Sequence, residues 1–221
     1  MPSNTRPNRH LPRGMAILYE DRDILVINKP AGMLTMGTER ERVNTVYHYM
    51  TEYVRKGSSK SPNRVFIVHR LDRNVSGVLL FAKTFEAKES LQESWESTEK
   101  RYLAVVHGLP KELEGTISSY LAENSVRKAY STTDPRIGKL SHTHYKRIQE
   151  GRGFSLLDVH ILTGRKNQIR VHMAEIGHPI VGDDKYGAKD PAHRKLALHA
   201  YSLSFNHPYS GKPMQIESPA P

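Results

Sequence analysis

Short apolar runs rich in β-branched and aromatic side chains recur along the chain between residues 17 and 205. Runs of this length and composition, bounded by polar or turn-forming residues, predict β-strands. The polar stretch at 20–23 predicts a turn between the first two runs. The predicted strands cover residues 17–19, 24–27, 65–68, 78–82, 102–106, 154–159 and 203–205.

Helical periodicity appears in three places. Apolar residues at three- and four-residue steps predict a first helix over residues 43–54. Thr84 is a suitable N-cap for a second helix, which carries Trp95. A third, short helix is predicted to begin after Asn167 as its N-cap and to end at Gly177.

The predicted strands outnumber the helices and do not alternate with them strictly. This order favours an α+β fold with a mixed, largely antiparallel central β-sheet flanked by helices. We expect one domain over residues 15–216, with a C-terminal tail at 217–221. Residues 1–14 contain three prolines, three arginines and no acidic residue. They predict a flexible basic arm that contacts phosphates, although a terminus without a role fits the composition equally well.

The charge and composition of the chain favour one class of partner and exclude several kinds of chemistry. The chain has 33 Lys and Arg against 23 Asp and Glu, a net charge of +10, which favours a nucleic acid as partner. No apolar run approaches membrane-spanning length, and the N-terminus does not resemble a signal peptide, so we expect a cytoplasmic protein without a membrane partner. The absence of cysteine excludes disulfides, thiol catalysis and cysteine-bound metals.

The segment most suggestive of chemistry is 68–77, which joins two predicted strands. Asp72 lies there between Arg70 and Arg73. Such a junction is where a rigid scaffold presents a side chain. The spacing alone fits an ordinary exposed ion pair better, because such pairs are common and weak.

Five blocks in order along the chain resemble the RluA class of RNA pseudouridine synthases. They read ILYEDRDILVINKPAGMLT at 17–35, HRLDRNVSG at 69–77, KRYLA at 100–104, TGRKNQIRVH at 163–172 with GHPIVGD at 177–183, and LHA at 198–200. Together the blocks extend over nearly the whole chain, which makes a chance match implausible. The resemblance implies a pseudouridine synthase catalytic domain, and only some 16 residues precede the first strand, so we expect no N-terminal RNA-binding module.

The resemblance also implies the catalytic residues. It assigns the catalytic carboxylate to Asp72. It also implies that the ring of Tyr102 stacks on the target uracil, where the Tyr102 hydroxyl is suited to move the proton at C5. Arg170 is expected to pair with Asp72 and keep it ionised against desolvation. Arg165 is the second choice for that pairing, although contact with a phosphate is the simpler role for it.

The target uridine must leave its stack to reach Asp72, and Arg70 and His69 are suited to fill the gap. The residues that we predict to bind the RNA substrate are His69, Arg70, Arg73, Arg101, Arg165 and Lys166. Lys29, Lys83 and Lys185 are further candidates to line the RNA path, but each fits a solvated surface charge better. The chain departs from the family pattern at 74–75 and 166–167, where local contacts with RNA are expected to differ.

The reaction implied by the resemblance needs no metal or other cofactor. The chain has 12 histidines, but none has the His-Glu-x-x-His spacing of a metal site. His142 and His144 alternate on a possible strand, and His172 and His178 lie six residues apart. Hydrogen-bonded structural histidines are the simpler interpretation.

Two alternatives remain at this stage. A catalytically idle RNA-binding protein could use the same scaffold. A glycoside hydrolase would need two carboxylates across a sugar, for which Asp183 and Asp184 are the candidates. We favour a monomeric RNA pseudouridine synthase that acts on a ribosomal or transfer RNA stem-loop.

Overall fold

The computed structural model describes residues 11–39, 41–187 and 192–221. Residues 1–10 of the predicted basic arm lie outside this part of the chain. The described residues form eleven strands and three α-helices. The strands are β1 (Ala16–Glu20), β2 (Ile24–Lys29), β3 (Phe66–Ile67), β4 (Ser76–Ala82), β5 (Glu99–His107), β6 (Glu114–Glu123), β7 (Ala129–Thr132), β8 (Lys139–Gly151), β9 (Phe154–Ile161), β10 (Leu198–Asn206) and β11 (Pro213–Glu217). The helices are α1 (Val46–Arg55), α2 (Phe85–Glu93) and α3 (Gln168–Glu175), and a 3₁₀ turn follows α2 at Trp95–Ser97.

The chain folds into two compact units. The first contains the residues up to Thr98 together with Tyr201–Pro221, and the second is Glu99–Ala200. The predicted single domain over 15–216 stays a prediction. Strand β10 contributes residues 198–200 to the second unit and the remainder to the first.

In the first unit the sheet order is β1-β2-β4-β10, with β3 paired to β4 and β11 paired to β10. Neighbouring strands β1, β2 and β4 are antiparallel. Strands β2 and β4 are buried along almost their full length, so both of their faces are covered. This explains why their sequences are continuous apolar runs rather than alternating patterns.

In the second unit the order is β10-β5-β9-β8-β6-β7. The four neighbouring pairs β5–β9, β9–β8, β8–β6 and β6–β7 are all antiparallel. Alternate residues of β9 are buried, which is the pattern of a sheet with one covered face. Helix α3 packs against β6, β7 and β8 on that face.

The first two predicted helices form, with shifted ends. Helix α1 begins at Val46 because the Thr45 hydroxyl accepts the N–H of His48, and Val43 is left 67% exposed outside it. The predicted cap of α2 is confirmed, since the Thr84 hydroxyl accepts a backbone N–H. The prediction that Trp95 belongs to α2 is wrong, because the helix ends at Glu93.

The predicted N-cap of α3 is wrong in its chemistry. Asn167 precedes the helix, but its φ of 55° is left-handed and its side chain caps no backbone N–H. Its amide instead accepts a hydrogen bond from Arg170 and donates one to the Tyr186 hydroxyl. The helix ends as predicted before Gly177, whose φ is +81°.

All seven predicted strands form, and the mixed, largely antiparallel α+β fold is confirmed. Four strands were not predicted with them: β6, β7, β8 and β11. In the described part of the chain, no helix is long and apolar enough to cross a membrane.

Candidate active site

The buried side chain of Lys29, at the end of β2, holds the loop that carries Asp72. Its Nζ donates hydrogen bonds to the backbone carbonyls of Pro30 at 3.0 Å, Arg73 at 3.0 Å and Val75 at 2.7 Å. These acceptors engage all three N–H bonds of an ammonium group. The expectation that Lys29 is a solvated charge on the RNA path is wrong, because its side chain is 0% exposed.

Lys29 also has a perturbed proton equilibrium. Burial lowers the pKa of its ammonium to about 7, the Asp72 carboxylate opposes this shift and the Arg73 guanidinium adds to it. The attraction of the Asp72 carboxylate favours the charged form of Lys29. The cation is therefore coupled to the predicted catalytic carboxylate as well as to the backbone around it.

Two further contacts fix the loop on either side of Asp72. The Thr35 hydroxyl donates to the Leu71 carbonyl at 2.8 Å and accepts the Leu71 N–H at 3.2 Å. The Gly32 N–H donates to the Arg73 carbonyl at 2.8 Å. Gly32 has a φ of +88°, a conformation that glycine adopts without strain. The half-buried Asp72 is thus presented by a backbone that is held on both sides.

The residues after Asp72 depart from the family pattern and still form a tight turn. The Val75 N–H donates to the Asp72 carbonyl at 3.2 Å, and Val75 itself is buried. Asn74 is exposed at the tip of the turn. The departure therefore leaves the local backbone support of Asp72 in place.

His69 occupies a structural position before the loop. Its Nε2 accepts the Leu80 N–H at 3.0 Å, and its ring stacks on Trp95 with centroids 4.5 Å apart. The side chain is only partly exposed. The predicted role of His69 in binding RNA stays a prediction.

The two arginines beside Asp72 differ in their surroundings. Arg73 forms a salt bridge of 2.5 Å with Glu41. Arg70 is exposed, and its guanidinium has no hydrogen bond or ion pair with any residue that the structure describes. Arg70 is therefore the more accessible of the two cations to an RNA strand.

Tyr102 and Arg101 are neighbours on β5 and point to opposite faces of the sheet. Tyr102 is half-buried and lies opposite Val159 of β9. Arg101 donates to both carboxylate oxygens of Asp158, and the contact through Nε is 3.3 Å. The guanidinium of Arg101 is thus engaged in an ion pair with the protein.

Arg170 forms a buried ion pair in the second unit. Its Nε and Nη2 donate to the Asp183 carboxylate at 2.8 and 2.6 Å, and its Nη1 donates to Asn167 at 3.1 Å. Burial alone would raise the pKa of the Asp183 carboxyl, but Arg170 and the N–H groups of Tyr186 and Lys185 outweigh it, and the pKa lies below its usual value. The sequence prediction paired Arg170 with Asp72, and that pairing stays a prediction.

The residues before α3 divide in the same way as the arginines beside Asp72. Lys166 donates to Glu123 at 2.5 Å and to the Arg127 carbonyl at 2.9 Å. Arg165 is exposed, and its guanidinium has no partner among residues 11–39, 41–187 and 192–221. Among the predicted RNA-binding residues, Arg165 and Arg70 are therefore the cations open to a ligand.

One cluster of potential metal ligands occurs among the described residues, at Asp21, Asp23 and His207. The Asp21 carboxylate already accepts hydrogen bonds from Tyr19, from His207 and from the N–H groups of Asp23 and Ile24. The second ring nitrogen of His207 faces the N–H groups of the turn that follows it. Because the ring nitrogens of His207 and the Asp21 carboxylate are already hydrogen-bonded, the cluster links the turn at Asp21 to the turn after His207.

His172 fits the predicted structural role. It is completely buried, and its ring nitrogens bond to the hydroxyls of Thr143 and Ser119. Burial lowers the pKa of its imidazole, so the neutral ring is favoured. The interpretation of this histidine as a hydrogen-bonded structural residue is confirmed.

With this geometry established, comparison with known proteins identifies the family. A family model described as RNA pseudouridylate synthase matches residues 23–175. The chain belongs to the RNA pseudouridylate synthase family. The resemblance based on the sequence motifs is thereby confirmed, and the glycoside hydrolase alternative is wrong.

Curated relatives support the same assignment. An uncharacterized RNA pseudouridine synthase of Bacillus subtilis (strain 168) is 36% identical over 214 residues, which are 95% of this chain and 70% of that protein. Ribosomal large subunit pseudouridine synthase D of Zymomonas mobilis is 37% identical over 236 residues, with 98% of this chain and 73% of that protein covered. The protein is accordingly an isomerase that converts uridine in RNA to pseudouridine.

Solved structures share the fold. Human RNA pseudouridylate synthase domain containing 4 superimposes with a TM-score of 0.77 at 21% identity, over 93% of this chain and 88% of that one. Human RNA pseudouridylate synthase domain containing 1 gives 0.73 at 25% identity, over 97% and 86%. Both confirm the fold of a pseudouridine synthase.

Within this pseudouridine synthase, the predicted catalytic residues are divided between the units: Asp72 lies in the first, and Tyr102 and Arg170 lie in the second. Sequence reasoning missed the roles of Lys29 and Asp183. The signal for Lys29 was its position at the end of a largely apolar strand, directly before Pro30. No comparable signal marked Asp183 as the partner of Arg170.

Proposed function

We propose that this chain isomerises specific uridines in structured ribosomal or transfer RNA, with Asp72 as the catalytic residue and the target base turned out of its stack. The observation that carries the proposal is the loop around Asp72. Three groups outside the loop, Lys29, Thr35 and Gly32, bind its backbone on both sides of the carboxylate. These three contacts restrict the motion of the loop and hold the Asp72 side chain in one position.

The reaction is an isomerisation, so the composition of the nucleotide is unchanged. The C1′–N1 bond breaks, the uracil turns within the site and the C1′–C5 bond forms. The hydrogen on C5 leaves as a proton that exchanges with solvent, and N1 gains a proton in its place. Asp72 acts on the sugar or base as nucleophile or general base. Tyr102 stacks on the uracil, and its hydroxyl takes part in removing the C5 proton.

Binding of the RNA rests on its phosphates and on base stacking. Arg70 and Arg165 are exposed and free of ion pairs with the described residues, and the chain carries a net charge of +10. Arg70 lies two residues before Asp72, where its planar guanidinium is suited to occupy the gap left by a flipped base. Arg165 is suited to hold a phosphate.

Ribosomal RNA is the favoured substrate class. The Zymomonas relative, 37% identical, is named a ribosomal large subunit pseudouridine synthase. Transfer RNA is the second candidate, because its stem-loops offer the same unpaired uridines.

The test is release of tritium from 5-tritiated uridine in unmodified transcripts of large-subunit ribosomal RNA and of transfer RNA. The proposal expects release from at least one transcript, and that transcript names the substrate class. Absence of release from both, with RNA binding intact, would contradict it and favour the idle RNA-binding protein.

A further inference from the structure

A cavity of about 680 Å³ lies in the first unit, outside the residues assigned to catalysis. Its walls come from the segment after β2, from α1, from β3 with the residues preceding it, and from α2. Its volume falls within the roughly 300 to 1,000 Å³ of ligand pockets. The cavity is broadly open to solvent, so a segment of a larger molecule can enter it.

The charged residues of the cavity are mostly basic. Arg42, Arg64 and Lys88 line it, against one carboxylate, that of Glu39. Lys88 is paired with Glu89. Arg42 and Arg64 are exposed, and neither forms a salt bridge with a residue in the part of the chain that the structure describes. The cavity therefore presents two uncompensated guanidinium groups, which suit an anionic ligand.

Aromatic rings line the same cavity. Tyr47 of α1 and Phe66 of β3 both contribute to its walls. The Arg64 guanidinium lies 4.8 Å from the centre of the Phe66 ring. Aromatic rings combined with arginines are how proteins bind single-stranded nucleic acid, because bases stack on the rings and phosphates meet the cations.

The wall of the cavity is joined to the loop that carries Asp72. Met36, which lines the cavity, directly follows Thr35, and the Thr35 hydroxyl is hydrogen-bonded to Leu71. Glu41, in the same segment, forms the salt bridge with Arg73. The wall of the cavity and the loop that carries Asp72 are therefore directly bonded to each other within the first unit.

We propose that this cavity binds an unpaired nucleotide that neighbours the target uridine. Its base stacks on Tyr47 or Phe66, and its phosphates contact Arg42 and Arg64. The inference rests on the proposed function, since it takes the ligand to be the RNA substrate. It adds a site that selects RNA by the unpaired state of a flanking nucleotide.

The first test compares RNA binding by the Arg42→Gln/Arg64→Gln double variant and by wild type, with a fluorescein-labelled oligouridylate as the probe. We expect the Kd to rise about tenfold or more, and the slope of log Kd against log salt to fall by about 1.4, or 0.7 for each lost contact with a single strand. Arg22→Gln is the matched control, because Arg22 is an exposed arginine of the same unit that lies outside the cavity. An unchanged Kd and slope in the double variant would overturn the proposal.

The second test concerns stacking. Tyr47→Leu should weaken binding of the oligouridylate by about fivefold or more, whereas Tyr49→Leu, on the same helix but outside the cavity, should not. Crosslinking of a 4-thiouridine-labelled strand should map to the peptides that contain Tyr47 or Phe66. Crosslinks confined to other peptides would overturn the assignment. Thermal unfolding of each variant is measured alongside, and a midpoint close to that of wild type is expected if the fold is retained.

These results are separable from the proposed function. If wild type releases tritium from RNA while the cavity variants bind as wild type does, the cavity proposal fails and the proposed function stands. If wild type releases no tritium from either transcript, the proposed function fails, and oligouridylate binding still decides the role of the cavity.

Discussion

The ammonium of Lys29 bonds to carbonyls that lie 44 and 46 residues away in the chain, and so ties the start of the domain to the loop of Asp72. Burial has lowered its pKa to about 7, whereas a solvated lysine titrates near 10.5. At neutral pH the ammonium with three N–H donors therefore exchanges with an amine that has two.

This equilibrium can be observed directly. In protein labelled at the lysine Cε, one NMR resonance should titrate with a midpoint near 7, well below the usual lysine range. Lys29→Met should remove that resonance. A spectrum in which no lysine resonance has a midpoint near 7 would contradict the assignment.

The same shift fixes the sign of a stability change. The folded pKa of Lys29 lies below the unfolded value, so the unfolded chain binds more protons between pH 7 and 10.5. The free energy of unfolding should rise with pH across this window. Comparison of urea unfolding for wild type and Lys29→Met should show this rise in the wild type only.

Tyr102 gives a separate test of the chemistry. Tyr102→Phe keeps the ring for stacking and removes the hydroxyl, so the single-turnover rate should fall by about a hundredfold while the Kd for RNA changes little. Tyr130→Phe, at an exposed tyrosine of β7, is the control. Equal rates for Tyr102→Phe and wild type would show that the hydroxyl has no chemical role.

The sequence led to Asp72 because the residues that mark it are contiguous, within one nine-residue motif. It misplaced Lys29, because a lysine at a strand end usually lies in solvent and the carbonyls that bind it are remote in the chain. It also missed Asp183, thirteen residues from Arg170, since an arginine offers no local sign of which carboxylate it will meet. The sequence pattern therefore did not predict the contacts that join residues remote in the chain.

Helix α3 and the turn after it are joined by the buried pair of Arg170 and Asp183, whose side chains are 8% and 0% exposed. Removing one partner leaves the other charge buried without compensation. Arg170→Met should therefore lower the free energy of unfolding by about 3–5 kcal/mol. Arg136→Met, which breaks an exposed ion pair in the same unit, should change it little.

The buried pair also predicts that the free energy of unfolding falls at acidic pH. The pKa of Asp183 is lowered in the fold, so its stabilising effect is present above the unfolded value of 3.8 and is lost as pH falls through the folded value. Asp183→Asn should flatten this part of the stability curve in urea unfolding. An identical fall at acidic pH in wild type and Asp183→Asn would contradict this role.

The elements that could be predicted share one property: their apolar residues are contiguous or regularly spaced. Strands β2 and β4 are buried on both faces and appear as unbroken apolar runs. Strand β8 was only a possible strand around His142, because its second half is mostly exposed and polar. Asn167 has the residue type of an N-cap, but its left-handed backbone and the proximity of Arg170 gave its side chain other partners.

Across the whole molecule, the net charge of +10 predicts how RNA binding responds to salt. Each phosphate contact releases counterions, so affinity should fall at least about tenfold between roughly 50 and 200 mM salt. Fluorescence anisotropy with an unmodified ribosomal RNA fragment measures this. A Kd independent of salt would mean that recognition is largely uncharged, against the account given for Arg70 and Arg165.

The role of Asp72 is tested by a single-turnover tritium-release assay of Asp72→Asn on the RNA that wild type modifies, with the Kd for that RNA measured alongside. The loop is held by backbone contacts that this change leaves in place, so RNA binding should be retained. Asp184→Asn, at an exposed carboxylate, is the matched control and should release tritium as wild type does. We expect no release above background from Asp72→Asn. Appreciable release by a pure Asp72→Asn preparation would show that Asp72 is not the catalytic residue.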